Sequence, residues 1–251
     1  MSDVLYELRG IEKAFDGVQV LRGVDLDIRR EEVITFIGLS GSGKSVLLKM
    51  LIGLIPPDKG TITFDGEDVS QLSEAEWVPV RRRVGISFQE PALFDSMLVE
   101  DNVKYGLREI GELGEEAMAQ RTSESLTAVG LPGIEEMWPS DLSGGMQKRV
   151  GIARAVALQP EALIYDEPFE GLDPINVTRV NRLMLGLRDQ LNVTTMVATH
   201  NLKAAFEVSD RIAFLHEGQI ARIGSPDELT KDHPDAMKDF IEKATFETPE
   251  L

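Results

Sequence analysis

Val33-Ile34-Thr35-Phe36-Ile37-Gly38-Leu39-Ser40-Gly41-Ser42-Gly43-Lys44-Ser45 is the stretch that decides the fold of this chain. Its first five residues are a short β-rich run ended by glycine, the pattern of a buried strand. From Gly38 to Ser45 the residues satisfy G-x-x-x-x-G-K-[ST], and a helix-period segment, Lys44 to Leu54, follows. Glycines at 38, 41 and 43 let the backbone turn tightly and aim its N–H groups inward as an anion nest. The helix opening at Lys44 adds the positive end of its dipole. Lys44 suits the β- and γ-phosphates of a nucleotide, and the Ser45 hydroxyl suits Mg²⁺. Gly38, Leu39, Ser40, Gly41, Ser42, Gly43, Lys44 and Ser45 are therefore predicted to hold a nucleoside triphosphate. A purely structural glycine-rich turn is the competing reading, and the strand before it and the helix after it count against that.

Working outward, residues 161–166 (EALIYD) and 193–198 (VTTMVA) are two further buried-strand candidates, each followed by a helix-like segment. Strands alternating with helices imply a mainly parallel sheet with helices on both faces, an α/β fold. From residue 4 to 28 apolar residues partly alternate around Asp16-Gly17, which predicts an antiparallel pair of strands before that core. Between Gln89 and about Pro160 the pattern turns helical and acidic, broken at Gly130, Pro132 and Pro139. This predicts a helical subdomain, about 90–160, inserted into a single domain over 3–235, with a short acidic tail over 236–251.

Three more features carry chemistry. Leu163-Ile164-Tyr165-Asp166-Glu167 puts two carboxylates at the end of a strand, where parallel sheets bind ligands. Asp166 would hold the metal, directly or through water, and Glu167 would polarise the attacking water. An acidic turn closing a strand is the plain alternative. Leu142-Ser143-Gly144-Gly145-Met146-Gln147 leads into a helix read over Gln147 to Ala157, with Asp141 and Ser143 as caps and Ser143, Gly144 and Gly145 open to another anion. Taken alone it is a good helix N-terminus and no more. His200 follows the strand VTTMVA; a surface or capping histidine is its bland reading.

The order of these motifs, phosphate loop, LSGGMQ, strand ending Asp-Glu, lone histidine, resembles the ATP-binding-cassette family over essentially residues 3 to 230. The resemblance implies a P-loop ATPase core and places its Walker A loop at Gly38–Ser45, its Q-loop glutamine at Gln89 (a further metal contact) and its signature motif at Ser143-Gly144-Gly145. It puts the Walker B pair at Asp166-Glu167, the D-loop at Gly171-Leu172-Asp173, and the switch histidine, a γ-phosphate contact, at His200. It implies ATP and Mg²⁺ as cofactors and a second copy of the chain closing over two ATP molecules, with Asp173 also near nucleotide. Phe15 stands where an adenine-stacking aromatic, usually tyrosine, is expected; a plain core residue is the alternative. Gly171 stands where many members have alanine.

Composition narrows the partners. With 26 Lys+Arg against 43 Asp+Glu the net charge is −17, which argues against nucleic acid and against an anionic membrane surface. Residues 109–136 and 227–251 hold most of the excess acid, either as solvated helical faces or as a partner-binding patch. The tail itself is either a loose surface helix or an arm to the neighbouring cassette. Zero cysteines exclude a disulfide scaffold, a thiolate metal site and cysteine catalysis. The longest nearly apolar stretch, Val46 to Ile55, is far short of the about 20 residues a span needs. MSDVLYELRG shows no secretory signal. Trp77, Trp138 and the nine methionines read as packing residues, and His216 and His233 as surface residues.

A cassette without a span implies a separate transmembrane permease and a peripheral place on the cytoplasmic side of the inner membrane. Leu93, Phe94 and Met97 suit a socket for that partner, or else a core. ALFDSMLVEDNVKYGLRE (92–109) and YDEPFEGLDPI (165–175) look most like the ATPases of Mla- and Mce-type lipid transporters. That implies phospholipid movement, with a lipid-binding Mla/Mce-type protein and a small accessory subunit as further partners. An importer of amino acids or an osmolyte is the alternative. A DNA-repair or ribosomal cassette is opposed by the missing coiled coil, the single cassette and the charge; a small-molecule P-loop kinase is opposed by LSGGMQ.

Overall fold

The computed structural model describes residues 3–231 together with Met237. In chain order the elements are β1 (Val4–Phe15), β2 (Val18–Arg29), β3 (Val33–Ile37), α1 (Lys44–Leu51), β4 (Lys59–Phe64), β5 (Glu67–Asp68) and α2 (Glu74–Arg83). Then come β6 (Val84–Ser87), α3 (Val99–Ile110), α4 (Glu115–Ala128), α5 (Gly144–Val156), β7 (Ala162–Asp166) and α6 (Pro174–Leu191). The chain continues through β8 (Thr194–Thr199), α7 (Leu202–Val208), β9 (Arg211–His216), β10 (Gln219–Gly224) and α8 (Pro226–Lys231). These elements form two compact units, one made of the chain up to Arg81 and from Thr194 onward, the other of Arg82–Val193.

The first unit holds two sheets. One is antiparallel in the order β2-β1-β4-β5. Its β1–β2 hairpin closes through Asp16 and Gly17, both at positive φ (49° and 80°), the two-residue turn whose twist matches right-handed strands. The other runs β10-β9-β3-β8. In it β3 is parallel to both β8 and β9, with Ile37 opposite Thr199 on one side and Phe214 on the other. All five β3 residues are buried, as a strand flanked on both edges and both faces requires. Leu47, Leu48, Met50 and Leu51 form the buried side of α1. At the sheet's far side Ile37, Ala205, Ile212, Phe214, Leu229 and Met237 form one apolar cluster. Helix α1 ends at Leu51, three residues before the periodicity does, because Gly53 turns left-handed (φ 67°) and the Leu54 N–H caps the Lys49 carbonyl at 2.9 Å.

The second unit pairs β6 with β7 in parallel, Ser87 opposite Tyr165. Helices α3, α4 and α5 pack on one another through Val103, Leu107, Leu126, Val150 and Ala153, all at most 4% exposed. Helix α5 begins at Gly144, earlier than its apolar periodicity shows, because the Ser143 hydroxyl accepts the Met146 N–H at 3.3 Å. The acids at 109, 112, 115, 116, 124 and 136 are exposed, and Glu115 and Glu116 sit in the first turn of α4, where a helix dipole favours them. Arg81, Arg82 and Arg83 are each matched by a carboxylate, Glu74, Glu112 and Glu161 respectively. Trp77 is buried as a packing residue, but Trp138 is 46% exposed, so the packing reading of Trp138 is wrong. The segment before it is tied down by the Val99 N–H to the Met137 carbonyl, which leaves the indole facing out. The acidic tail expected over 236–251 and His233 lie, Met237 apart, outside the described residues.

Candidate functional site

In the first unit the parallel register does the positioning. Strands β3 and β8 end side by side, so Gly38 leaves one as His200 leaves the other. The loop from Gly38 to Gly43 then folds over the start of α1. Gly38 is irreplaceable on steric grounds, since an added Cβ would land on the Leu215 carbonyl oxygen of β9. Lys44 is 5% exposed, and its ammonium donates to the carbonyls of Gly38 (2.8 Å) and Leu39 (3.2 Å), so the cation sits folded into the loop. No side chain caps α1, and the Ser42 hydroxyl is buried without a partner. A loop with spare N–H donors, an orphaned hydroxyl and a buried cation fits an anion, and that is the test a phosphate site has to meet. Leu39 and Ser40 are exposed at the loop's tip and Ser45 is half-buried. His200 is exposed, and Asn201 beside it caps α7 by accepting the Ala204 N–H at 3.0 Å.

Phe15 lies at the hairpin tip and is 42% exposed, which removes the core reading. Lys13 steadies it: the ammonium is 5.5 Å from the ring centre and bonds Asp58 at 2.8 Å. The Asp58 carboxyl also accepts the Ala14 N–H, and these bonds, Lys13 first, hold its pKa below the ordinary carboxylate value.

In the second unit β6 and β7 also end together, which brings Gln89 to the same edge as Asp166 and Glu167. Asp166 and Glu167 are 4% and 8% exposed, and Gln89 is exposed. Glu167 adopts φ 46°, a left-handed conformation that a non-glycine residue holds at a cost of about 1–3 kcal/mol and that clusters at functional sites. Beneath it Tyr165 is fully buried with no partner for its hydroxyl, and burial pushes that phenol far up in pKa. Gly171 stands at φ 71° with open space around it. The departure from alanine thus falls where the backbone is left-handed and glycine relieves the strain. Asp173 caps α6, accepting the N–H groups of Ile175 and Asn176, both at 3.0 Å; those bonds, Asn176 first, lower its pKa.

Ser143, Gly144, Gly145, Lys148, Asp173 and Arg179 line one open cleft of this unit, to which Gln89 also contributes. Within it burial lowers the pKa of Lys148 against the opposing pull of Glu170 and Glu167, and lowers that of Arg149, with Arg179 adding to the effect. Sequence reasoning passed over Lys148 and Arg179, which match no motif and were visible only as basic residues on helices.

The chain is similar to known proteins over most of its length. The family model described as ABC transporter matches residues 21–170. The chain is 38% identical over 239 residues to the probable ribonucleotide transport ATP-binding protein mkl of Mycobacterium leprae, covering 95% of this chain and 69% of that protein. It is 39% identical over 238 residues to the sulfate/thiosulfate import ATP-binding protein CysA of Pseudomonas aeruginosa, covering 94% and 70%. Among solved structures it is similar to cbiO1 from Clostridium perfringens, part of the ABC transporter complex cbiONQ, with TM-score 0.85, 29% identity and coverage of 99% and 97%. A dimeric cassette, MJ0796, in a post-hydrolysis state bound to ADP and Pi, gives TM-score 0.82 at 29% identity, covering 88% of this chain and 99% of that one.

Proposed function

This chain belongs to the ABC transporter family as an ATP-hydrolysing cassette, and on that premise we propose that it is the motor of a lipid transporter, driving phospholipid movement through a separate transmembrane permease. Two copies would close on two ATP molecules, a reading supported by a structural relative that is dimeric and bound to ADP and Pi. Gly38–Ser45 would cradle the phosphates and Lys44 would leave the loop carbonyls for them. Phe15 would stack on the adenine. Ser143, Gly144, Gly145 and Asp173 would face the nucleotide held by the second copy. Glu167 would orient water for in-line attack, and His200 would steady the γ-phosphate and that water. Mg²⁺, when bound, supplies charge neutralisation between the phosphates, and the chain offers it hard oxygen donors in Ser45, Gln89 and Asp166.

The observation that carries the transport reading is the loop before α3. Phe94 is 39% exposed and packs against Tyr105, itself 40% exposed, with ring centres 4.9 Å apart and the ring planes tilted by 40°. Fully buried Asn102 knots this loop, accepting the Phe94 N–H at 2.7 Å and donating to the carbonyls of Phe94, Met97 and Leu98. A rigid loop presenting exposed aromatics is a docking socket, and Leu93 and Met97, half-buried, form its floor. No helix among the described residues is long and apolar enough to cross a membrane, so the place at the inner membrane would come through that partner.

Phospholipid is favoured as cargo because the socket lies inside 92–109, the stretch that resembles lipid-transporter ATPases. Import of a small solute is the second reading, favoured by the 39% identity to a protein named for sulfate and thiosulfate import. Copurification in mild detergent followed by native mass spectrometry separates them. Phospholipid bound to a complex with a multispan subunit and an Mla/Mce-type lipid-binding protein supports the proposal; a periplasmic solute-binding partner and no lipid would sink it.

A further inference from the structure

Lys148 lies on the second turn of α5, just past the signature glycines. Its ammonium donates to the backbone carbonyl of Glu170 at 2.5 Å. Glu170 sits in the turn Glu167–Asp173, which holds two left-handed residues, Glu167 and Gly171. Inside itself the turn is stitched by loose backbone bonds, Glu170 N–H to the Glu167 carbonyl at 3.3 Å and Leu172 N–H to the Phe169 carbonyl at 3.1 Å. A charge-assisted bond from a regular helix to a carbonyl is stronger and more directional than either. The same ammonium lies in the fields of the Glu170 and Glu167 carboxylates. The bond lies at the surface, with Lys148 half-buried and Glu170 exposed, so its hold comes from its short length and its charge.

We propose that Lys148 is a positioning residue for hydrolysis: it pins the Glu170 carbonyl to α5 and so keeps the turn that carries Glu167 in its left-handed form. This rests on Glu167 being the group that orients the attacking water. Lys148 acts through the turn: it fixes where the Glu167 carboxylate stands relative to the end of β7. Because the bond runs to a backbone carbonyl, side-chain length and charge at position 148 both matter. Methionine keeps the length and removes the donor, while arginine keeps a donor.

Steady-state hydrolysis on the assembled transporter tests this. Lys148→Met should lower kcat about ten- to hundredfold with KM for ATP within about twofold, since a misplaced catalytic group costs rate and not ground-state binding. Lys148→Arg should recover most of the loss. In a Glu167→Gln background, with single-turnover hydrolysis followed over hours, adding Lys148→Met should cost nothing further, because a residue that acts through another has no effect once the other is gone. A raised KM with unchanged kcat, an arginine variant no better than methionine, or the same fold-loss in both backgrounds would each overturn the role of Lys148. Wild-type turnover by Glu167→Gln alone would instead remove the reading of Glu167 on which it stands.

Discussion

Two helices of this molecule begin at glycine-bearing motifs that read as anion sites, and they are built in opposite ways. At α1 two of the three glycines are walled in, Gly38 by the Leu215 carbonyl and Gly43 by Leu21, 2.8 Å from where a Cβ would sit, while Gly41 has open space around it. No side chain caps that helix, and a buried lysine supplies the charge. At α5 the Ser143 hydroxyl caps the helix, and Gly144 and Gly145 have nothing within 4 Å of an added Cβ. At the first site Gly38 and Gly43 answer to packing within their own unit. The second lines an open cleft, and its glycines keep that surface clear instead of letting the backbone pass. Identical residue types serve, in one place, intramolecular packing and, in the other, approach from outside.

Glycine replacement probes this contrast most severely. Gly38→Ala drives a methyl into backbone that has no room to give, so it should destabilise the protein by about 1–3 kcal/mol or more and abolish nucleotide binding. Thermal unfolding and equilibrium ATP binding read both. Lys44→Met separates charge from packing. Nucleotide affinity should fall about a hundredfold with the loss of charge-assisted bonds, while the nucleotide-free protein keeps or gains stability, because an ammonium need no longer be buried. Gly144→Ala is the converse: with no clash and a better helix former, melting should hold or rise by up to about 1 kcal/mol. Phosphate release from the closed dimer should nonetheless fall. If Gly144→Ala unfolds the protein as Gly38→Ala does, the contrast between the two sites is false.

Smaller effects sharpen it. Ser143→Ala removes the cap at α5 and should cost about 0.5–2 kcal/mol, whereas Ser143→Asp keeps an acceptor and most of the stability. The least effect is acidic. The Asp58 carboxyl has a folded pKa held below its unfolded value by Lys13 and the Ala14 N–H. Its contribution is therefore complete above the unfolded value of 3.8 and lost as pH falls through the lower folded one. The Phe15 tip should loosen only in that window, as a chemical-shift titration of the Phe15 ring would show.

Much of this was legible in the sequence, for reasons of length and punctuation. Strand β3 is a short run of β-branched and apolar residues ended by glycine, and Asp16-Gly17 is a strong hairpin signal, so both were read correctly. Strands β4, β5, β6, β9 and β10 went unassigned. β6 has four residues, and one of them, Gly85, is there because a Cβ would press on the Ala155 carbonyl at 2.9 Å. A strand that short carries no periodicity, and its glycine answers to a helix 70 residues away. Helix α2 was hidden by Pro79 and by a face with only Trp77 and Val80 buried. The site motifs were legible because phosphate chemistry fixes residue types at fixed spacing. Lys148 was not, because what it grips is a backbone carbonyl, which any residue at position 170 would supply.

The chain's two tryptophans fall one in each unit and in opposite surroundings. Trp77 is 5% exposed, with its indole filling the space a side chain at Gly53 would need, and Trp138 is 46% exposed. Nature has thereby installed two optical channels. Trp77 should emit blue-shifted and resist iodide, and Trp138 should emit red-shifted and quench readily. Without any added label, the fluorescence of the native protein reports separately on the phosphate-loop unit and on the unit that carries the signature helix.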